Sequence, residues 1–101
     1  MPKGVKIEKP VQVYFLFDHP SMGQFEHTVI VADEGASVEY IEGCSAPAYI
    51  KGGLHAGAME IFVGKSAKVR VTTIQNWSKN VYNLVTKRAI VEEAGRMEWV
   101  E

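Results

Sequence analysis

Along this chain apolar and polar residues alternate in short runs, each closed by a small or acidic turn. Val38 and Tyr40 flank Glu39, and Val69 and Val71 flank Arg70. A two-residue period sends successive side chains to opposite faces of an extended strand, so one face can be buried while the other stays wet. Val11-Gln12-Val13-Tyr14-Phe15-Leu16-Phe17 is rich in β-branched and aromatic residues, which suit a pleated, half-buried surface. Apolar positions at helical spacing are hard to find anywhere. The nearest case, Val81 to Ile90, reads equally well as a strand with Val81, Asn83 and Val85 on one side.

The alternation itself recurs. A turn followed by alternating residues appears as Gly4-Val5-Lys6-Ile7-Glu8, Gly35-Ala36-Ser37-Val38-Glu39-Tyr40, Ser66-Ala67-Lys68-Val69-Arg70-Val71 and Ala94-Gly95-Arg96-Met97-Glu98-Trp99. The starts at 4, 35, 66 and 94 are spaced by 31, 31 and 28 residues. The last three are preceded by an apolar strand and a polar turn, as in Val29-Ile30-Val31-Ala32-Asp33-Glu34. Repeats of roughly 20–50 residues mark solenoids, whose units cannot bury their apolar faces alone and stack on one another. Pro10, Pro20, Pro47 and the Gly52-Gly53 pair punctuate the chain as turns. The expectation is an all-β solenoid segment without an internal linker. A sandwich or a cupin-like barrel also has short strands at even spacing.

Composition narrows the function more than the fold. The 101 residues carry eleven basic and twelve acidic side chains, for a net charge of −1. This balance gives no electrostatic basis for binding nucleic acid or an anionic membrane. No stretch approaches the roughly 20 apolar residues that span a bilayer, and the N-terminus has no apolar signal core. A cytoplasmic protein is expected. Cys44 is the only cysteine, which rules out an internal disulfide and fits a reducing compartment. The sequence holds no phosphate-binding glycine loop and no nucleophile–base pairing. Its three histidines, His19, His27 and His55, are too spread out for a cupin-like metalloenzyme.

Particular words then carry more than periodicity. Gly23-Gln24-Phe25-Glu26, Ala32-Asp33-Glu34-Gly35 and Tyr40-Ile41-Glu42-Gly43-Cys44-Ser45-Ala46-Pro47 occur in this order. They are followed by Leu54-His55-Ala56 and by the run from Thr73 to Ala89 containing Gln75-Asn76-Trp77 and Thr86-Lys87-Arg88. In wording and spacing the chain, from about Lys3 onward, resembles the SufB-type (SufB/SufD family) iron–sulfur cluster assembly scaffolds. The resemblance implies a right-handed parallel β-helix, of which residues 1–101 form a single partial domain of about three coils. It also implies a scaffold and not an enzyme, working with a SufD-type protein and a SufC-type ATPase on a transient iron–sulfur cluster. A solenoid slice with open ends is expected to self-associate, and a self-associating module without cofactor is the competing reading.

The same resemblance assigns roles by position. Cys44 matches the family cysteine implicated as sulfur acceptor, so it would carry a persulfide or ligate the cluster and its metal; the plain alternative is a small buried residue. Gln75, Trp77 and Lys87 match residues lining a sulfur path inside the β-helix. Alternatively, Trp77 fills the core and Lys87 belongs to an exposed Lys87-Arg88 pair. His55 matches a family position and can ligate iron or move a proton, although eleven residues from Cys44 is no metal-binding signature and a structural role competes. His19 and His27 are read as surface or turn residues, and Glu42 as a solvated carboxylate in preference to a weak ligand. The chain departs from the family pattern at Leu16 and Asp18, where an Arg-x-Asn pair is usual, and at His27, where an arginine is. Leucine supplies neither the charge nor the fork of donors of arginine.

Overall fold

The computed structural model describes residues 1–16, 23–45, 53–76 and 81–101. Among them are seven strands and no helix: β1 Val11–Leu16, β2 Gly23–Ala32, β3 Ser37–Ser45, β4 Gly53–Val63, β5 Lys68–Asn76, β6 Val81–Val91 and β7 Arg96–Val100. Odd and even strands separate into two sheets. One has the order β1-β3-β5-β7 and the other β2-β4-β6. Every pairing between these strands is parallel. A sandwich or barrel of antiparallel hairpins is therefore ruled out, and the arrangement is that of a parallel β-helix-like coil.

Except between β1 and β3, which are offset by 29 residues, the sequence repeat is the stacking repeat. β3 pairs with β5 so that Val38 lies beside Val69 and Tyr40 beside Val71, an offset of 31 residues. From β4 to β6 and from β5 to β7 the offset is 28, with Met59 beside Lys87 and Val69 beside Met97. Both numbers are the spacings of the turns in the sequence, since each turn repeats on the one before it. Gly4 N–H donates to Glu34 O at 2.8 Å, Gly35 N–H to Lys65 O at 3.0 Å and Ser66 N–H to Glu93 O at 3.1 Å. The residues that open each sequence repeat share one backbone state: Gly4 (φ 73°), Gly35 (φ 72°), Ser66 (φ 59°) and Ala94 (φ 58°) are all left-handed. Turns closed by Ala36 N–H to Asp33 O and Ala67 N–H to Gly64 O place that residue third of four, where positive φ reverses the chain.

Between the sheets lies the core. Ala32, Ala36, Val38, Tyr40, Met59, Ile61, Val63, Ala67, Val69 and Val71 are buried together. On β3 the burial alternates strictly, with Val38, Tyr40, Glu42 and Cys44 inward. β6 is a strand throughout, as its alternation allowed. Towards the turns the interior is all hydrocarbon. Towards the other end of the strands it becomes polar.

Candidate functional site

The polar compartment is built from the inward faces of five strands. β3 contributes Tyr40, Glu42 and Cys44, β2 contributes Glu26, β4 His55, β5 Thr73, and β6 Lys87. Cys44 and His55 belong to consecutive strands of one coil, in opposite sheets, and so face each other. Glu26 comes from the neighbouring coil. Its register partner is Gly57, and a methyl group there would lie 3.2 Å from both Glu26 Cγ and Oε1. The missing side chain at 57 is what lets the Glu26 carboxylate lie along β4 and reach His55, two residues away on the same face.

Three metal-binding types of donor converge as a result. One donor atom each from Glu26, Cys44 and His55 lie within 4.8 Å of one another. Glu26 Oε1 and His55 Nε2 are hydrogen-bonded at 3.0 Å, and the His55 side chain is only 1% exposed. The second oxygen, Glu26 Oε2, is buried with no hydrogen-bond partner among the described residues. Beside this group Tyr40 O–H donates to Glu42 Oε1 at 3.1 Å. Lys87 donates to Thr73 Oγ1 at 3.2 Å, is ion-paired to Glu101, and holds its ammonium 5.8 Å from the centre of the Trp99 ring.

Burial and like charge govern protonation here. The Cys44 thiol is pushed up to about 12, first by loss of solvent and then by the Glu42 and Glu26 charges, with Lys87 opposing. Glu42 is also raised, by burial and then by Glu26, against the Tyr40 hydrogen bond and the charges of Lys87 and His55. Tyr40 is raised by burial and by Glu42. The compartment therefore disfavours additional negative charge.

The comparisons with known proteins decide the family. Residues 15–101 match the family model described as "SUF system FeS cluster assembly, SufBD core domain". The chain belongs to the SufBD core family. It is 59% identical over 101 residues to an "iron–sulfur cluster assembly SufBD family protein" of Staphylococcus haemolyticus, covering 100% of this chain and 22% of that protein. A Staphylococcus epidermidis protein of the same description and one of Staphylococcus aureus strain MRSA252 are equally similar, at 59% over the same 101 residues. The chain thus spans 22% of the length of these SufBD relatives.

Against the expectations from sequence, this SufBD segment brings Cys44, His55 and Lys87 into one compartment. Gln75 is the register partner of Cys44 on the next strand, but it is exposed, because β7 pairs with β5 only as far as Thr72. Lys87 is not part of an exposed pair; only 17% of its side chain is accessible, while Arg88 faces outward. Glu42 is not a solvated carboxylate but 4% exposed. It lies on the same strand face as Val38, Tyr40 and Cys44. His27 is on the surface as expected, 3.2 Å from Glu60. Trp77, Asp18 and His19 lie outside the described residues, and of Leu16 only the backbone, opposite Ser45, is described. Glu26 is the metal-binding type of residue in this group that the sequence alone did not single out. A charged residue on the inward parity of Thr28, Ile30 and Ala32 was the available signal.

Proposed function

We propose that this chain is an interior part of a scaffold on which iron–sulfur clusters are assembled in the cytoplasm, binding and positioning the nascent cluster without being an enzyme. In this reading residues 1–101 are one partial domain of about three coils of a right-handed parallel β-helix. A SufD-type protein and a SufC-type ATPase are its partners, and ATP hydrolysis belongs to the latter. What supports the reading, beyond family membership, is the placement of the only cysteine. Cys44 sits inside the coil, 2% exposed, among groups that can ligate metal or compensate charge.

Iron–sulfur clusters are held by thiolates and tuned by surrounding charge and hydrogen bonds. Cys44 is the persulfide carrier or cluster ligand. In the resting compartment its thiol keeps its proton, so it becomes nucleophilic only when positive charge compensates the sulfur. Lys87 is placed on the inner face to supply part of that charge, and its contacts with Thr73 and Glu101 hold it there. Gln75, stacked on Cys44 by the strand register, belongs to the route by which sulfur arrives, and Trp77, outside the described residues, is assigned to the same route. His55 is an additional ligand or proton carrier.

Anaerobic reconstitution of the intact protein with ferrous iron and sulfide tests this. Brown colour and sulfur-to-iron charge-transfer absorption are expected, with loss of most of the bound iron in Cys44→Ser. The isosteric serine keeps the packing. No uptake, or uptake indifferent to Cys44→Ser, would sink the proposal and leave a solenoid without cofactor.

A further inference from the structure

We propose that Glu26, Cys44 and His55 form a binding site for a single divalent metal ion of borderline softness, of the iron(II) or zinc kind. A carboxylate, a thiolate and an imidazole are together the donor set such an ion selects, whereas hard calcium or magnesium would take oxygen alone. A tetrahedral ion with metal–ligand bonds of about 2.0–2.3 Å separates its donors by roughly 3.3–3.6 Å. Donors already within 4.8 Å, from three different strands, need to close by at most about 1.2–1.5 Å.

Two features of the compartment point to a cation independently of that convergence. Glu26 Oε2 is buried with no hydrogen-bond partner among the described residues, a costly state for a carboxylate oxygen. A second buried carboxylate, Glu42, lies on the same inner face, while the facing ammonium of Lys87 is engaged by Thr73 and Glu101. A divalent ion would satisfy the orphaned oxygen and cancel the acidic excess. The bare α-carbon of Gly57 keeps the volume that the Glu26 side chain needs.

Binding replaces the S–H bond of Cys44 by a metal–sulfur bond, and the proton passes to solvent, so uptake releases protons. The hydrogen bond between Glu26 and His55 is exchanged for two metal bonds. Three protein donors leave a fourth position open for water, or for sulfide delivered from outside. The site does not require that a cluster be built on it. It deepens the scaffold reading by naming where a first metal ion would be held.

Titration of the intact, metal-free protein with cobalt(II), followed by optical absorption, tests the site. Expected are tetrahedral d–d bands and a thiolate-to-cobalt charge-transfer band, with zinc displacing the cobalt. Cys44→Ser should abolish the charge-transfer band, and Glu26→Gln and His55→Gln should each weaken binding by at least about tenfold. Gly57→Ala removes no donor, yet it should also weaken binding, because its methyl group crowds the Glu26 side chain. Circular dichroism reports whether each variant folds, and one folded variant among the three suffices. Absence of these bands in the wild type, or bands unchanged in folded Glu26→Gln, His55→Gln or Gly57→Ala, would overturn the site. Cobalt binding without cluster assembly would support it and count against the scaffold reading. Cluster assembly without cobalt binding would do the reverse.

Discussion

Two charged residues, Glu26 and Glu42, define the chemistry of the interior, and both lie on inward strand faces that are otherwise uncharged. Their parity was legible: Glu42 alternates in step with Val38, Tyr40 and Cys44. Their burial was not, because alternation alone does not say whether the last inward positions of a strand reach solvent. It is the stacking of β1 and β5 on either side of β3 that closes off Glu42, while Glu26, on β2, lies along β4 with 13% of its side chain exposed. Glu42 is faced by Tyr40 and Cys44 on its own strand, Glu26 on β2, His55 on β4 and Lys87 on β6, with Glu101 behind Lys87. Burial, followed by the Glu26 charge, raises its carboxyl above the ordinary value. A raised carboxyl favours the folded state fully while the group is protonated in both states, and that contribution is lost as pH rises through the folded-state value. Glu42→Gln removes this loss while keeping an acceptor for Tyr40. The metal-free variant should therefore outlast the wild type to urea at about pH 8, with the difference shrinking towards about pH 4. A constant difference across that range would remove the titration of Glu42 from the account.

At the level of elements, the turns were the most legible part of the chain. The repeat starts read from sequence at 4, 35, 66 and 94 are the four residues with positive φ among the described residues. The step from 31 to 28 between repeats reappears as the shorter offset between β4 and β6 and between β5 and β7. Sequence could not show that Ser66 and Ala94 would be left-handed like their glycine counterparts, because neither residue type favours that conformation; the Ser66 turn is tied to the next by Ser66 N–H to Glu93 O, and the Ala94 turn is closed by Gly95 N–H to Glu92 O. A side chain in that region costs roughly 1–2 kcal/mol, partly offset by the lower chain entropy that it, unlike glycine, gives the unfolded state. Ser66→Gly and Ala94→Gly should each stabilise the fold by about 0.5–1 kcal/mol. Gly35→Ala should destabilise it by about 1 kcal/mol, since a methyl group at 35 meets only ordinary contacts and the cost is conformational. Chemical denaturation of the three variants measures this directly, and a stabilised Gly35→Ala would contradict the stacked-turn description.

Across the whole molecule, an apolar half near the turns supports a polar half that is costly to enclose. The buried cluster from Ala32 to Val71 supplies the hydrophobic stabilisation, whereas the ion pairs Lys3–Glu34, Lys65–Glu93 and Arg70–Glu98, at 3.6–4.0 Å and well exposed, add little. Stacking also leaves a consequence at its two ends. Among the described residues β1 and β2 each have a strand partner on one side only, as do β6 and β7. Val11 on β1 and Trp99 on β7 lie on the same face as the core residues Tyr40 and Val71, yet both are substantially exposed. Open parallel edges beside exposed apolar side chains are templates for further strands. In solution the 101-residue chain should therefore associate end to end, and light scattering coupled to size exclusion should report masses above that of one chain. A charge directed into such an edge blocks pairing, so Val11→Lys and Trp99→Lys should each lower the average mass, and the double variant further. Because one substitution lies at each end, a drop from only one of them would identify which end carries the contact. A wild type that elutes as a clean monomer would mean that the end strands are already satisfied.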